Sequence, residues 1–197
     1  MKSRGTFAGS LALALAVTAK AWAAEDPQAF VTQAGTAGLY EVRAAEVARQ
    51  KAKDAEVRAF ADEMIKDHEK ANQELRALAT KREWKLPGAL DAKHQGLLDR
   101  LGKLDGSEFE EEYAKQQLQA HEEAVTLFEE QSEKGTDPQL KNWAGEKLGT
   151  LQTHLRHARL LDRDAESSVP DRSLDPSTPS ESKTPPGNAV PESGGRR

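Results

Sequence analysis

A glutamate and three histidines, Glu41, His68, His121 and His154, each interrupt an apolar stripe near the middle of one of four segments with helical spacing. Neutral imidazole nitrogens and a carboxylate oxygen are ordinary ligands for zinc, iron, copper or manganese, and three His with one carboxylate suffice for a single-ion site. One reading therefore takes these four residues as the ligands of one transition-metal ion in a helical core. A second reading needs no ion: the same groups, extended along their helix by Tyr113 and Gln117 at steps of four, form a buried hydrogen-bond network that specifies helix register. Such a network is tolerated only when closed, because each buried polar group left unpaired costs about 1–3 kcal/mol. Residue type and spacing leave both readings standing.

Other chemistries are easier to remove. A carboxylate-bridged di-iron centre asks for Glu three residues before His on each of two helices. Here Ile65, Leu118 and Leu151 occupy those positions, which argues against an oxidase or ferroxidase centre. The chain has no cysteine, so disulfides, thiolate metal sites, a cysteine nucleophile and a lipidated N-terminal cysteine are all excluded. No serine sits in a nucleophile elbow, no glycine-rich phosphate loop occurs, and no separate base accompanies the cluster, so an enzyme is not expected. Asp67 and Glu122 each adjoin a stripe histidine, but neighbours on a helix point about 100° apart, which places them at the rim or behind a ligand as supporting groups. His157 is expected on a flank, His94 exposed, and Trp84 and Trp143 as packing plugs near helix ends.

Four long helices must carry the cluster. The first opens at Asp26-Pro27, an N-cap followed by proline at the first helical position, with a stripe of Phe30, Ala34, Ala37, Glu41, Ala45 and Ala48. The second begins near Asp54 and runs through Phe60, Met64, His68, Leu75 and Leu78 toward Pro87-Gly88. The third carries a capping-box pattern, Ser107 with Glu110, and a seam of Phe109, Tyr113, Gln117, His121 and Phe128 ending at Gly135. The fourth opens at Asp137-Pro138, with Leu140, Ala144, Leu148, Leu151, His154 and Ala158 in register. The short first link implies an antiparallel hairpin, and Glu41 and His68 stand about equally far from it. Between the second and third helices a segment of about twenty residues holds a short helix from Leu90 to Leu104, with Leu97, Leu98 and Leu101 on its apolar side. It could reach about 40 Å, so both a crossover and an up-down-up-down bundle are open.

The ends read differently. Lys2 and Arg4, an apolar run from Phe7 to Ala19, and Ala21-Trp22-Ala23 form a secretory signal pattern, so residues 1–23 are expected to be cleaved before Ala24. That run is shorter than the roughly 20 residues of a membrane span, and no transmembrane anchor is expected. Residues 24–164 form one domain, and 165–197, rich in Ser, Pro, Asp and Gly, are expected to be disordered. The formal net charge of −5 with both signs interspersed lacks the basic face that nucleic acid binding requires. Export to the periplasm follows, with a peripheral outer-membrane or secreted destination as alternatives, and an envelope partner would meet the tail or the outer helix faces.

These residues resemble the bacterial ferritin-like family known as domain of unknown function 4142, often labelled predicted outer membrane protein. The resemblance rests on Phe30-Val31 leading to Gly38-Leu39-Tyr40-Glu41-Val42, on Phe60-Ala61 through Met64 to Asp67-His68, on Phe109 to Tyr113 followed by His121, and on Leu151-Gln152-Thr153-His154-Leu155. It implies an all-α, ferritin-like antiparallel four-helix bundle with a crossover between the second and third long helices, export, and no settled activity. Two departures are Glu110 in place of the usual Asp and Gly149 in place of the usual Pro. The latter removes a kink and loosens the expected placement of His154.

Overall fold

The computed structural model describes residues 26–168, and the expected signal peptide and nearly all of the expected tail lie outside them. Five helices follow in order: α1 (Pro27–Lys51), α2 (Ala55–Arg82), α3 (Ala92–Lys103), α4 (Gly106–Lys134) and α5 (Pro138–Ser168). The described residues are thus all-α, with α5 continuing past the domain boundary expected at 164.

Helix starts follow capping chemistry. Asp26 accepts from the Gln28 amide at 3.0 Å, Asp54 from those of Glu56 and Val57 at 2.6 and 3.2 Å, and Asp137 from those of Gln139 and Leu140 at 3.0 and 2.9 Å. The second helix stops before Pro87: Glu83 adopts a left-handed conformation (φ 58°) at its C-cap. The expected capping box on α4 does not form. Asp105 takes the N-cap position without a side-chain bond, Gly106 has φ 61°, and the Glu110 carboxylate instead accepts from the amides of Lys53 and Asp54 at 2.7 and 2.8 Å. A side chain on the third long helix therefore ties down the turn between the first two.

The topology has a crossover. The α1/α2 turn lies beside the start of α4, joined by those Glu110 bonds, and Arg82 at the far end of α2 pairs with Asp137 at the start of α5 at 2.9 Å. Helix α4 therefore runs parallel to α2 and antiparallel to α1. The chain returns along the bundle through α3, which packs on α1: the His94 ring lies 5.4 Å from that of Tyr40, and Lys51 Nζ donates to the Gly102 carbonyl at 3.0 Å. This is the ferritin-like arrangement.

Two apolar clusters fill the interior. One, toward the α1/α2 turn, gathers Tyr40, Phe60, Met64, Leu101, Phe109 and Tyr113; the other, at the opposite end, gathers Phe30, Leu75, Phe128, Leu140 and Trp143. Each large side chain taken out of water contributes about 1.5–3 kcal/mol. Gly38 permits a close approach of α1 to α2, since a Cβ there would stand 2.1 Å from the Asn72 carboxamide oxygen. The polar cluster lies in the same middle stretch of the bundle. No helix among the described residues is long and apolar enough to cross a membrane.

Candidate metal centre

His68 on α2, His121 on α4 and His154 on α5 face one another in the middle of the bundle, with ring centroids 5.4–5.7 Å apart. One nitrogen from each ring lies within 4.8 Å of the other two. The rings are nearly inaccessible, His121 and His154 each at 1 % exposure. Phe60 forms one wall, its ring 6.3 Å from that of His121 and 6.5 Å from that of His154.

The hydrogen bonds fix which nitrogens face inward. His121 Nδ1 lies 2.9 Å from the Gln117 carbonyl, which only accepts, so Nδ1 carries the proton and Nε2 is left with a lone pair. His154 Nε2 lies 3.1 Å from the Asp67 carboxylate and donates to it, which leaves Nδ1 with the lone pair. Those two lone-pair nitrogens and His68 Nε2 are buried without a hydrogen-bond partner. A tetrahedral ion with bonds of about 2.0–2.1 Å holds its nitrogens roughly 3.3 Å apart, so these imidazoles need close by roughly 1.5 Å at most. The donor set fits one transition-metal ion.

Glu41, from α1, lines the same cavity at 3 % exposure but stands outside the set of three. Its Oε2 is also buried without a partner. Tyr113 and Gln117 are both fully buried, and neither the Tyr113 hydroxyl nor the Gln117 amide atoms make a well-formed hydrogen bond. Gln117 leans on the Glu41 carboxyl, but direct hydrogen bonds between protein groups do not close the ladder. Tyr40, next to Glu41, does pair, donating to Gln116 Oε1 at 2.6 Å.

Burial governs the ionisation of the cluster. It pushes the His68 imidazolium well below the usual histidine range, and His121 and His154 add to the effect. It lowers His154 as well, with His121 acting in the same sense and Asp67 and Glu63 opposing. Burial raises Glu41, partly offset by His121, Gln117 and His94. Neutral imidazole is the ligand form, so these shifts leave the nitrogens available at neutral pH.

An outer layer completes the site. Asp67 and Glu63, both partly exposed, stand behind His154, and Glu63 Oε2 also lies 3.1 Å from His157 Nδ1. Sequence reasoning offered Asp67 as a group at the rim or supporting a ligand histidine, and it meets His154; His157, expected on a flank, meets Glu63 there. Glu63 was missed altogether, because a carboxylate on an outer face looks like any solvated one. Glu122 pairs outward with Arg159 at 3.3 Å, away from the histidines. His94 is not exposed as expected: its side chain is 17 % accessible, held between Tyr40 and Asp91. Trp143 is the packing plug foreseen, wedged among Phe30 and Phe128, with its indole N–H donating to Glu74 at 3.0 Å.

A family model described as a domain of unknown function, DUF4142, matches residues 12–161. No curated protein matches the sequence. Among solved structures, a DUF305 fragment from Deinococcus radiodurans superposes with a TM-score of 0.62 at 15% identity, covering 70% of this chain and 97% of that one. A structure titled "CopM in the Cu(II)-bound form" superposes with a TM-score of 0.60 at 18% identity, covering 70% and 95%. At such identities the likeness speaks to the fold.

Proposed function

Because this chain belongs to the DUF4142 family, whose description names no activity, function has to be argued from the site, and we propose that the protein holds one transition-metal ion in the bundle core through His68, His121 and His154, with Glu41 as the nearby carboxylate. The observation that carries this reading is the trio of buried imidazole nitrogens that face one another without hydrogen-bond partners. An interior that leaves three such groups unpaired sacrifices about 1–3 kcal/mol each unless something binds them. Imidazole suits copper, zinc, iron and nickel, and Cu(II) stands highest among the divalent ions in general affinity. The likeness to a copper-bound bundle adds weight to testing copper first. Holding or buffering an ion, rather than turnover, is the role assigned.

The protein is further proposed to be exported by way of residues 1–23 and to act in the bacterial envelope. A mature N-terminus at Ala24, read by mass spectrometry of protein recovered from the periplasm, is the expected result. A chain that retains residues 1–23 in the cytoplasm would refute it.

Elemental analysis of the tag-free protein, as isolated and after incubation with copper, zinc, iron or manganese, tests the site. About one ion per chain, lost in His121→Ala, is expected. Content well below one that does not rise on incubation would overturn the reading.

A further inference from the structure

A cavity of about 120 Å³ adjoins the three histidines, where a single water takes about 10–15 Å³ on the same measure. It therefore has room for several waters or for a ligand of a few atoms. On one side its wall is made by His68, His121, His154 and Glu41; elsewhere Ala37, Ala71 and Ala124 leave the space that larger side chains would fill. Three helices thus contribute alanine about one helical turn from Glu41, His68 and His121.

The charge of the surroundings selects what enters. Three neutral imidazoles do nothing to compensate a divalent ion, and an uncompensated charge in the interior is costly. Asp67 accepts from His154 Nε2 and also lines the cavity, so it offsets only part of that charge from beyond the imidazole. Glu41 stands outside the tight set of donors, so three histidines leave a four-coordinate ion one position short. Lys70 and Lys147 both line the cavity, Lys70 exposed to solvent and Lys147 in an ion pair with Glu74 and over the Trp143 ring at 5.9 Å.

The geometry points to a binding site for a small anion, of the size of azide or a halide, in this cavity and against the ion held by His68, His121 and His154. The inference rests on the metal reading and adds an exchangeable ligand to it. The space beside Ala37, Ala71 and Ala124 gives the anion room, and the charge of the ion draws it in.

Titration of the copper(II)-loaded full-length chain with sodium azide, followed by the azide-to-copper charge-transfer absorption, tests it, with copper per chain counted independently. One azide per copper with saturation is expected. Ala71→Leu should keep one copper per chain and weaken azide at least tenfold; Ala37→Leu, on α1, serves the same purpose should the first variant fail to fold. Copper bound one to one with no azide absorption overturns the anion site and leaves the metal reading intact. Undiminished azide affinity in a folded, copper-loaded filled-cavity variant overturns it too. Failure of the chain to bind copper, zinc, iron or manganese sinks the metal reading and the anion site together.

Discussion

Asp67 Oδ2 on α2 accepts a hydrogen bond from His154 Nε2 on α5 at 3.1 Å, across 87 residues of sequence. The bond does two things at once. It sets the His154 tautomer so that Nδ1 faces His68 and His121, and it makes the imidazole a stronger donor to an ion. Removing such a partner typically costs 10–100-fold in metal affinity. Asp67→Asn is expected to fold and to bind copper or zinc about 10–100-fold more weakly, as measured by competition with a chelator of known affinity. Glu122→Gln, on a carboxylate that faces Arg159 instead, should leave the affinity within about twofold. Equal effects of the two would remove Asp67 from this role.

Glu41 should behave against ordinary expectation for a buried residue. Its carboxyl is raised above the usual value, chiefly by burial. A group raised in the folded state contributes stability that is fully present below its unfolded value of about 4.5 and is lost as pH rises through the folded value. At pH 8 the buried, charged carboxylate, whose Oε2 has no partner and which Gln117, His121 and His94 offset only in part, is therefore a burden. Glu41→Gln is expected to stabilise the metal-free protein at pH 8 by about 1–3 kcal/mol in urea unfolding, with the advantage shrinking toward pH 5. A destabilised variant at pH 8 would mean that the carboxylate has a partner in solution.

His68 carries the opposite sign. Its folded value lies well below 6.5, so the unfolded chain binds more protons wherever pH lies between the two. Its contribution is present above about pH 6.5 and is lost as pH falls through that window, at about 1.4 kcal/mol per pH unit for each proton. His154 is lowered too and adds to the slope. Thermal unfolding of the metal-free protein should be nearly flat from pH 8 to 7 and fall by several degrees per unit below about 6.5. His68→Leu should flatten that decline; a slope unchanged by the substitution would show that other groups set it.

Glu110 joins the turn between α1 and α2 to the start of α4 through two charge-assisted bonds at 2.7 and 2.8 Å. Hydrogen bonds to charged groups contribute about 1.5–3 kcal/mol when shielded, less where water competes. Glu110→Ala should cost about 1–2 kcal/mol, and Ser107→Ala, with no capping bond to lose, under about 0.5 kcal/mol. Denaturant midpoints of the two variants compare them directly.

The helices were legible because their signals are local. Aspartates at 26, 54 and 137 stop the preceding chain and satisfy first-turn amides whatever the surroundings. Apolar residues at steps of three and four mark the buried face of α1, α2, α4 and α5 without reference to any partner. The same periodicity exposes Glu41, His68, His121 and His154, because a polar residue in a stripe is conspicuous, and all four prove to line one cavity. The length of the segment around α3 allowed a crossover but did not require one.

What the sequence by itself determined, then, is which residues are helical, which face each helix buries and which polar groups that face carries inward. Only the tertiary structure decided that α4 runs beside the α1/α2 turn, that Glu110 caps that turn rather than its own helix, and that Asp67 reaches His154 while Glu122 reaches Arg159. It also separated Glu41 from the tight trio, a distinction invisible when all four are simply polar residues in apolar stripes. The physical reason is range. Capping and amphipathicity act within a turn or two of the chain, whereas the orientation of an imidazole and the tautomer it holds depend on groups that helix packing brings within about 3 Å from far along the sequence.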